Sequence, residues 1–218
     1  MNIIWHGHSF FEINTKDIDN KELKIAIDPF DKSLGLKVPK TEAQILLITH
    51  DHSDHSNKKA IGGNPFLIEE AGEYETKGIY IKGVPGFHDD SQGEERGKVI
   101  FYIIEVEDVR ICHLSDIGQK ELTPEQVEQI GDIDILMIPV GGVYTVDAKQ
   151  ASNIISQIEP KIVIPMHYQV PKLKLKLNSL DQFLKEIGSP NVEPQRKFKV
   201  KISDIPKEKM ETVVFEIY

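Results

Sequence analysis

Short apolar segments separated by polar turns dominate the first half of the chain, and this pattern is typical of β-strands. Residues 73–82 alternate in polarity and predict a hairpin around Lys77 and Gly78. Residues 99–106 and 109–112 predict two strands joined by a tight turn. Other strands are predicted on both sides of a turn at Gly7 and over residues 24–28, 44–49, 135–138, 162–164 and 212–217.

Helix signals cluster in the second half of the chain, where a Ser, Thr or Asp is three times followed by Gln three residues later, the spacing of a capping box. The three pairs are Thr123 with Gln126, Asp147 with Gln150, and Ser179 with Gln182. Pro124 suits the first position of the first helix, and Gly188 is expected to end the third. This order of elements predicts sheets that meet in the middle, with helices on their outer faces.

The composition is that of a folded globular protein. Of the 218 residues, 39% are apolar and 28% are charged, which is too apolar for a disordered chain. No repeat or Pro/Gly-rich linker divides the sequence, so we predict a single domain over residues 1–218. The lone cysteine, Cys112, excludes an intramolecular disulfide and is predicted to be a small buried apolar residue.

Location and partners are predicted from charge and hydropathy. No segment approaches the ~20 apolar residues of a membrane span, and the N-terminus lacks a signal-peptide pattern, so we predict a cytoplasmic protein. The formal net charge is -9, whereas nucleic-acid binding requires a basic footprint. We therefore predict a small-molecule substrate rather than nucleic acid or a membrane, and a homo-oligomer is compatible with the sequence.

Three of the eight histidines fall in the segment HDHSDH, which follows the predicted strand 44–49. Neutral imidazole is the commonest metal ligand, and imidazole with carboxylate suits Zn, Fe, Ni or Mn. His50 and His52 can point the same way from an extended segment and share one ion, whereas Asp54 and His55 follow on a turn and can aim at a neighbouring ion. The alternative is a solvated polar loop that is rich in histidine by chance, but the ordered spacing favours a metal site.

The segment HDHSDH resembles the His-x-His-x-Asp-His signature of the metallo-β-lactamase superfamily. Further matches follow in the expected order: IAIDPF with Asp28, GFHDD with His88, HLSDIG with Asp116, and PMHY with His167. The resemblance implies an α/β (α+β) fold, the four-layer αββα sandwich of that superfamily. The segments WHGHSFFEI and IPVGGVYT are similar to a compact branch of metal-dependent hydrolases that is related to the ascorbate-phosphate lactonases.

The resemblance also implies a ligand set for two divalent metal ions, with Zn expected and Mn or Fe as alternatives. One ion would be held by His50, His52 and His88, the second by Asp54, His55 and His167, with Asp116 bridging them. Two such ions clamp a shared water or hydroxide. Asp54 would be the catalytic residue, because it could orient this nucleophile and take its proton while it ligates a metal.

Several assignments near the site stay open at the level of sequence. His113 competes with His88 as third ligand of the first ion, and we favour His88 because it lies in a Gly-rich acidic loop, whereas His113 ends a strand. Asp28 is predicted to support a ligand histidine, since such imidazoles donate their other N–H to a carboxylate or carbonyl. His8 could line the cleft or be structural. Asp89 could be an extra oxygen ligand, but we predict that it is a solvated loop acid.

Two residues outside the ligand set could contact substrate. The Arg96 guanidinium could hold an anionic substrate by paired hydrogen bonds, although an ion pair with Glu94 or Asp90 is the interpretation we favour. Tyr144 and Tyr168 could also touch substrate, but a packing role is the expectation for both.

The sequence therefore predicts a metal-dependent hydrolase that cleaves an ester, lactone or phosphodiester bond of a small substrate. The diiron oxidoreductase branch of the superfamily is an alternative, but it typically has Glu where this chain has His52. An RNA-processing nuclease is disfavoured by the net charge. A non-catalytic metal-binding regulatory domain is a third alternative, although a closed structural zinc site needs only four ligands and seven candidates are present.

Overall fold

The computed structural model describes residues 1–217. Its strands are β1 (Asn2–Gly7), β2 (Phe10–Lys16), β3 (Glu22–Ile27), β4 (Thr41–Glu42), β5 (Ile45–Leu47), β6 (Ile61–Gly62), β7 (Phe66–Ile68), β8 (Gly72–Thr76), β9 (Ile79–Phe87), β10 (Lys98–Val106), β11 (Val109–His113), β12 (Ile135–Pro139), β13 (Ile162–Met166), β14 (Phe198–Lys199) and β15 (Glu211–Thr212). Its α-helices are α1 (Pro124–Ile130), α2 (Ala148–Ile158) and α3 (Leu180–Glu186).

Two large sheets form the sandwich. The six-stranded sheet has the order β14-β1-β2-β3-β5-β7, and the seven-stranded sheet has the order β15-β13-β12-β11-β10-β9-β8. A small separate sheet pairs β4 with β6. Helix α1 contacts β9, α2 contacts β12, and α3 packs on α2, so these helices cover the seven-stranded sheet. The predicted α/β sandwich is therefore the observed fold.

Apolar side chains and a few backbone contacts join the two sheets. Buried residues such as Trp5, Phe11 and Phe101 are fully inaccessible, and burial of one such side chain contributes roughly 1.5–3 kcal/mol. The buried Tyr102 hydroxyl on β10 donates to the carbonyl oxygen of Ile48 at 3.0 Å, beyond the end of β5. Ile100 N–H donates to the Thr49 carbonyl at 3.0 Å, so β10 supports the segment that carries the histidine motif.

Parallel pairing brings the functional loops to one edge. Strand β3 runs parallel to β5, and β11, β12 and β13 run parallel to one another. The carboxyl ends of parallel strands meet at the same edge, and in such sheets the ligand-binding loops follow those ends. Here they lead to the HDHSDH segment, to Asp116 and to His167.

The local predictions hold where capping and alternation are strong. The helices starting at Pro124 and Ala148 have complete capping boxes, and the hairpin around Lys77 is present. At the third helix, Ser179 stands at the N-cap but its side chain makes no capping hydrogen bond. The predicted strand 212–217 was wrong in extent, because only Glu211–Thr212 pairs, in parallel, with β13.

The three α-helices are short, the longest having 11 residues. Within residues 1–217, none has the length or the apolar character required to cross a membrane.

Candidate metal centre

The HDHSDH segment leaves β5 as extended chain and then turns. The N–H groups of His55 and Ser56 both donate to the His52 carbonyl at 2.9 Å, which closes a turn around Asp54. The turn directs His50 and His52 to one side and Asp54 with His55 to another. This division matches the expectation from the spacing of the motif.

A first cluster is formed by His50, His52 and His88. Their ring centroids are 4.6 to 5.2 Å apart, and each offers a nitrogen within 4.8 Å of the others. His88 reaches this position because β9 ends at Phe87 and the next loop turns inward. The three residues predicted to hold the first ion are therefore brought together.

A second cluster is formed by His8, Asp54, His55 and His167, whose potential ligand atoms also lie within 4.8 Å of one another. Three of them were predicted ligands for the second ion. His8 is the addition: its Nε2 lies 3.1 Å from Asp54 Oδ2, and its ring is 4.1 Å from that of His167. Only its place after the Gly7 turn hinted at this role in the sequence.

Asp116 lies between the two clusters. Its Oδ2 atom is 3.1 Å from both His55 Nε2 and His167 Nε2 and 3.8 Å from His88 Nε2. The other oxygen, Oδ1, accepts a hydrogen bond from the Ser9 hydroxyl at 3.3 Å. The carboxylate thus touches members of both clusters, which is the placement that a bridging ligand requires.

The Asp28 carboxylate contacts the side chains of both His55 and Thr49. Its Oδ2 atom lies 2.9 Å from His55 Nδ1 and accepts from the Thr49 hydroxyl at 2.6 Å, and its Oδ1 accepts from Thr49 N–H at 2.8 Å. Thr49 Oγ1 in turn lies 3.0 Å from His50 Nδ1. One buried carboxylate therefore orients a histidine of each cluster, as expected for support of metal-ligating imidazoles.

The ring nitrogens that point into the site fit a metal centre. His50 Nε2 is buried and makes no hydrogen bond to any described residue, and His55 Nε2 faces the Asp116 carboxylate at 3.1 Å, while the opposite nitrogen of each ring is oriented by Thr49 or Asp28. Buried polar atoms are normally paired, so the open nitrogen of His50 needs an explanation. Imidazole held on one side and open on the other is the usual arrangement of a metal ligand.

The pKa shifts of His50, His8 and Asp116 agree with this fit. Burial, reinforced by the neighbouring His55 ring, lowers the pKa of His50 to about 2, and burial with His167 nearby lowers the pKa of His8 to about 4. Both imidazoles are neutral at pH 7, the form that binds metal. Burial alone would raise the pKa of Asp116, but His167 and His55 hold it well below its ordinary value, so the carboxylate is ionised.

Left-handed backbone conformations concentrate at the site. His8, Asp28, Ser115 and His167 have φ angles of 51 to 56°, although none is glycine. Such conformations cost of order 1–3 kcal/mol each and persist where the surrounding structure imposes them. Gly141 is required beside them, because a Cβ there would lie 2.0 Å from the His167 carbonyl oxygen. The backbone is thus held in strained form to place the ligands.

His113 has a different environment from His88. Its Nε2 lies 3.2 Å from the Ser9 carbonyl oxygen, and its Nδ1 accepts from Ser115 N–H at 3.2 Å. Both nitrogens therefore have backbone partners, and the ring is fully buried. The geometry favours His88 as the third ligand and gives His113 a structural role.

Two expectations for the loop after β9 were wrong. Asp89 is buried rather than solvated, because its carboxylate accepts hydrogen bonds from four backbone N–H groups, those of Ser91, Gly93, Glu95 and Arg96. Asp90 pairs with Lys120, and no carboxylate within residues 1–217 is at ion-pair distance from Arg96. The Arg96 guanidinium instead lies over the Tyr144 ring, with Cζ 5.1 Å from its centroid.

A cleft of about 490 Å³ opens over the two clusters. It is lined by His52, Asp54, His88, Arg96, Asp116, Tyr144, His167 and Leu175. Tyr144 is 42% exposed, so the expectation of a packing role was wrong for it; Tyr168 is buried and packs on Trp5 as expected. Cys112 is fully buried in its strand.

Comparison with known proteins identifies the family. Residues 2–167 match the model of the Beta-lactamase superfamily domain. A UPF0173 metal-dependent hydrolase of Thermococcus onnurineus is 31% identical over 74% of this chain and 82% of its own length. The chain belongs to the UPF0173 metal-dependent hydrolase family of the metallo-β-lactamase superfamily. The resemblance and fold predicted from the sequence are thereby confirmed, as is the assignment to the metal-dependent hydrolases.

Other UPF0173 members and a solved structure extend the comparison. A UPF0173 metal-dependent hydrolase of Thermoplasma volcanium is 30% identical over 76% of this chain and 82% of its own. The crystal structure of a Thermotoga maritima protein assigned as a Zn-dependent hydrolase of this superfamily superposes with a TM-score of 0.78. It is 34% identical and covers 98% of this chain, with 97% of its own chain covered. The likeness thus spans the sandwich and the loops at its edge.

Proposed function

We propose that the protein uses two divalent metal ions to hydrolyse an ester, lactone or phosphodiester bond of a small substrate. The observation that carries the proposal is the pair of ligand clusters with Asp116 between them. The first cluster would hold one ion and the second cluster, with Asp54, His55 and His167, the other. Ions placed in this way would lower the pKa of a bound water and polarise the scissile bond.

Asp54 is the residue we assign to proton transfer. It lines the cleft, and burial would raise its pKa, but the hydrogen bond with His8 and the charge of nearby His55 lower it below the ordinary value. The carboxylate is therefore ionised at pH 7, the state from which a proton acceptor must start. The contact with His8 Nε2 at 3.1 Å fixes the orientation of the carboxylate toward the cleft.

The remaining polar residues act by positioning. Asp28 holds the His55 ring, and Ser9 holds Asp116 through Oδ1, so neither ligand must reorganise when substrate binds. Such preorganisation is a major source of catalytic stabilisation. The donor set of imidazole and carboxylate suits zinc, with manganese or iron as alternatives.

The residues of the site support the alternative activities less well than metal-dependent hydrolysis. His52 stands at the position where the oxidoreductase branch typically has Glu, and it lies in the first cluster. A net charge of -9 disfavours an RNA substrate. A regulatory domain with one structural metal would need four ligands, whereas two clusters with seven histidine and aspartate side chains line this site.

The test is a metal-reconstituted activity screen against lactones, phosphodiesters, esters and thioesters, with His52→Ala and His6→Ala compared with the wild type. His6 is outside both clusters and is the matched control for loss of an imidazole. We expect His52→Ala to lower kcat/KM by roughly 100-fold or more, because a metal ligand is lost, and His6→Ala to stay within about threefold. Activity that survives in His52→Ala, or no turnover of any substrate class by the wild type, would contradict the proposal.

A further inference from the structure

Three cleft residues are outside the candidate ligand set, and besides the apolar Leu175 they are Arg96 and Tyr144. Arg96 is a permanent cation among histidines and carboxylates, and Tyr144 is an exposed aromatic ring at the rim. An exposed aromatic and an arginine beside a catalytic cluster need a reason, because neither is required to hold metal.

The guanidinium of Arg96 is held in place but its hydrogen-bond donors are not used. It lies over the Tyr144 ring at 5.1 Å, within the range of a cation–π contact. In the part of the chain that the structure describes, no carboxylate or carbonyl accepts from this side chain. A planar fork of donors that is oriented by an aromatic face, yet unpaired, is suited to an oxyanion.

The loop that carries Arg96 is built rigidly onto the first cluster. His88 N–H donates to the Gly97 carbonyl at 3.0 Å, which closes the loop at its base. The buried Asp89 carboxylate accepts hydrogen bonds from four backbone N–H groups of this loop, including that of Arg96 at 2.8 Å. The distance between Arg96 and the ligand His88 is thereby fixed by the backbone.

The loop that carries Tyr144 is fixed to the second cluster in the same way. Gly141 packs against the His167 carbonyl, and Asn178 N–H donates to the Gly141 carbonyl at 2.8 Å. Val143, 60% exposed, has a φ of 64°, a rare conformation for a β-branched residue. Strain of this kind concentrates at functional positions, and here it precedes the tyrosine that faces the cleft.

We propose that Arg96, positioned by the ring of Tyr144, binds an oxyanion of the substrate that is separate from the bond being hydrolysed. The enzyme would thus select anionic substrates, with a carboxylate or phosphate group at one end and the scissile bond over the two clusters. The position of the scissile bond in this inference rests on the proposed function. The anion site itself is inferred from Arg96 and Tyr144 alone. Arg96 is a binding residue here and Tyr144 a positioning residue.

Calorimetry tests the anion site without requiring turnover. Wild type, Arg96→Met and the matched control Lys98→Met are titrated with succinate and with inorganic phosphate. Lys98 is exposed at the start of β10 and does not line the cleft, so its replacement removes the same charge elsewhere. We expect Kd to rise by about 10- to 100-fold in Arg96→Met for one of the two anions and to stay unchanged in Lys98→Met.

The anion that shows the larger loss identifies the carboxylate or the phosphate as the recognised group. Any affinity contributed by the rest of the cleft is common to the three proteins and cancels in the comparison. Equal Kd values in wild type and Arg96→Met for both anions, or no binding by the wild type, would overturn the inference.

A pair of esters links the anion site to the reaction. Mono-p-nitrophenyl succinate and its methyl ester differ in one negative charge. We expect Arg96→Met to lower the preference in kcat/KM for the charged ester by about 10- to 100-fold while kcat/KM for the methyl ester stays within about threefold. A preference unchanged by Arg96→Met would overturn the inference. If the wild type turns over neither ester, ester cleavage in the proposed function fails and calorimetry alone decides the role of Arg96.

Tyr144 is tested by a conservative pair of variants. Tyr144→Phe keeps the ring under the guanidinium and should keep the wild-type preference for the charged ester. Tyr144→Leu removes the ring and should reduce that preference by roughly two- to fivefold. A loss of equal size in both variants, or in kcat/KM for both esters alike, would assign the ring a role other than positioning Arg96.

Discussion

Two buried polar regions of this protein differ in how their polar atoms find hydrogen-bond partners. On the outer face of the six-stranded sheet, Glu12 accepts hydrogen bonds from Asn14 at 3.0 Å and from Thr41 at 2.8 Å, with Lys24 Nζ at 3.2 Å. At the edge of the sandwich, His50 keeps a buried Nε2 with no hydrogen-bond partner among the described residues, and His55 Nε2 faces the Asp116 carboxylate at 3.1 Å. The first region is satisfied by the protein itself, and the second needs something that the chain does not supply.

The difference shows how stability and function can be distinguished in one fold. A buried carboxylate with complete partners contributes to folding, because its desolvation is offset by hydrogen bonds and charge. Buried imidazoles with one open nitrogen and a strained backbone lower stability unless a ligand completes them. We therefore expect substitutions in the Glu12 region to change the free energy of unfolding, and substitutions in the metal clusters to change activity.

The largest effect is expected for Asp116→Asn. The substitution removes the negative charge that lies 3.1 Å from nitrogens of His55 and His167. We expect kcat/KM to fall by about 1000-fold or more, since both candidate ions would lose a charged ligand. Steady-state kinetics of metal-reconstituted protein measures this, with Glu12→Gln as the control that should stay within about threefold. A small loss in Asp116→Asn would place the reacting centre elsewhere.

A second prediction separates His113 from His88. His113→Leu leaves the Ser9 carbonyl and the Ser115 N–H without their ring partner, so the free energy of unfolding should fall by roughly 2–4 kcal/mol. Its metal content should equal that of the wild type. Denaturant unfolding and elemental analysis of the same sample measure both. Loss of metal in His113→Leu, with full metal content in His88→Ala, would reverse the assignment.

A third prediction concerns the pH dependence of the Glu12 region. Burial alone would raise the pKa of Glu12, but contacts with His6, Asn14, Thr41 and Lys24 lower it from its ordinary value of 4.5 to about 2. Because the folded-state pKa is depressed, the stabilisation is complete above pH 4.5 and is lost as the pH falls through about 2.

Glu12→Gln should therefore lower the free energy of unfolding by about 1–3 kcal/mol at pH 7, with the difference from the wild type shrinking as the pH approaches 2. Denaturant titrations at several pH values measure it. A pH-independent difference would mean that the charge of Glu12 contributes nothing and that packing explains the loss.

Much of the fold could be predicted from the sequence because its signals are local. Alternation defined the hairpin around Lys77, and capping boxes defined the starts of α1 and α2. The last strand was overextended, since residues 213–217 are apolar enough for a strand but only Glu211–Thr212 pairs with β13, and beyond it Phe215 forms an isolated bridge with Gln195. Whether an apolar segment pairs depends on residues that are distant in the sequence. The spacing of apolar residues within the segment carries no information about them.

The candidate site was predictable in its ligands and less so in its surroundings. His50, His52, Asp54 and His55 follow one strand, so spacing alone grouped them. The sequence left open whether His8 lines the cleft, because its place depends on the approach of two sheets. The same holds for Arg96, whose contact with Tyr144 joins two loops 48 positions apart in the chain. The prediction for Asp89 was wrong because an acid in a polar loop was expected to face water. Its carboxylate instead accepts hydrogen bonds from backbone N–H groups of the loop.

The metal content of the purified protein tests the central claim most directly. Elemental analysis of wild type, His52→Ala and Glu12→Gln, each reconstituted with zinc and desalted, counts the ions per chain. We predict two ions in the wild type and in Glu12→Gln, and one in His52→Ala, because only the first cluster is broken. One ion or none in the wild type, or two ions in His52→Ala, would contradict a dinuclear centre built from these two clusters.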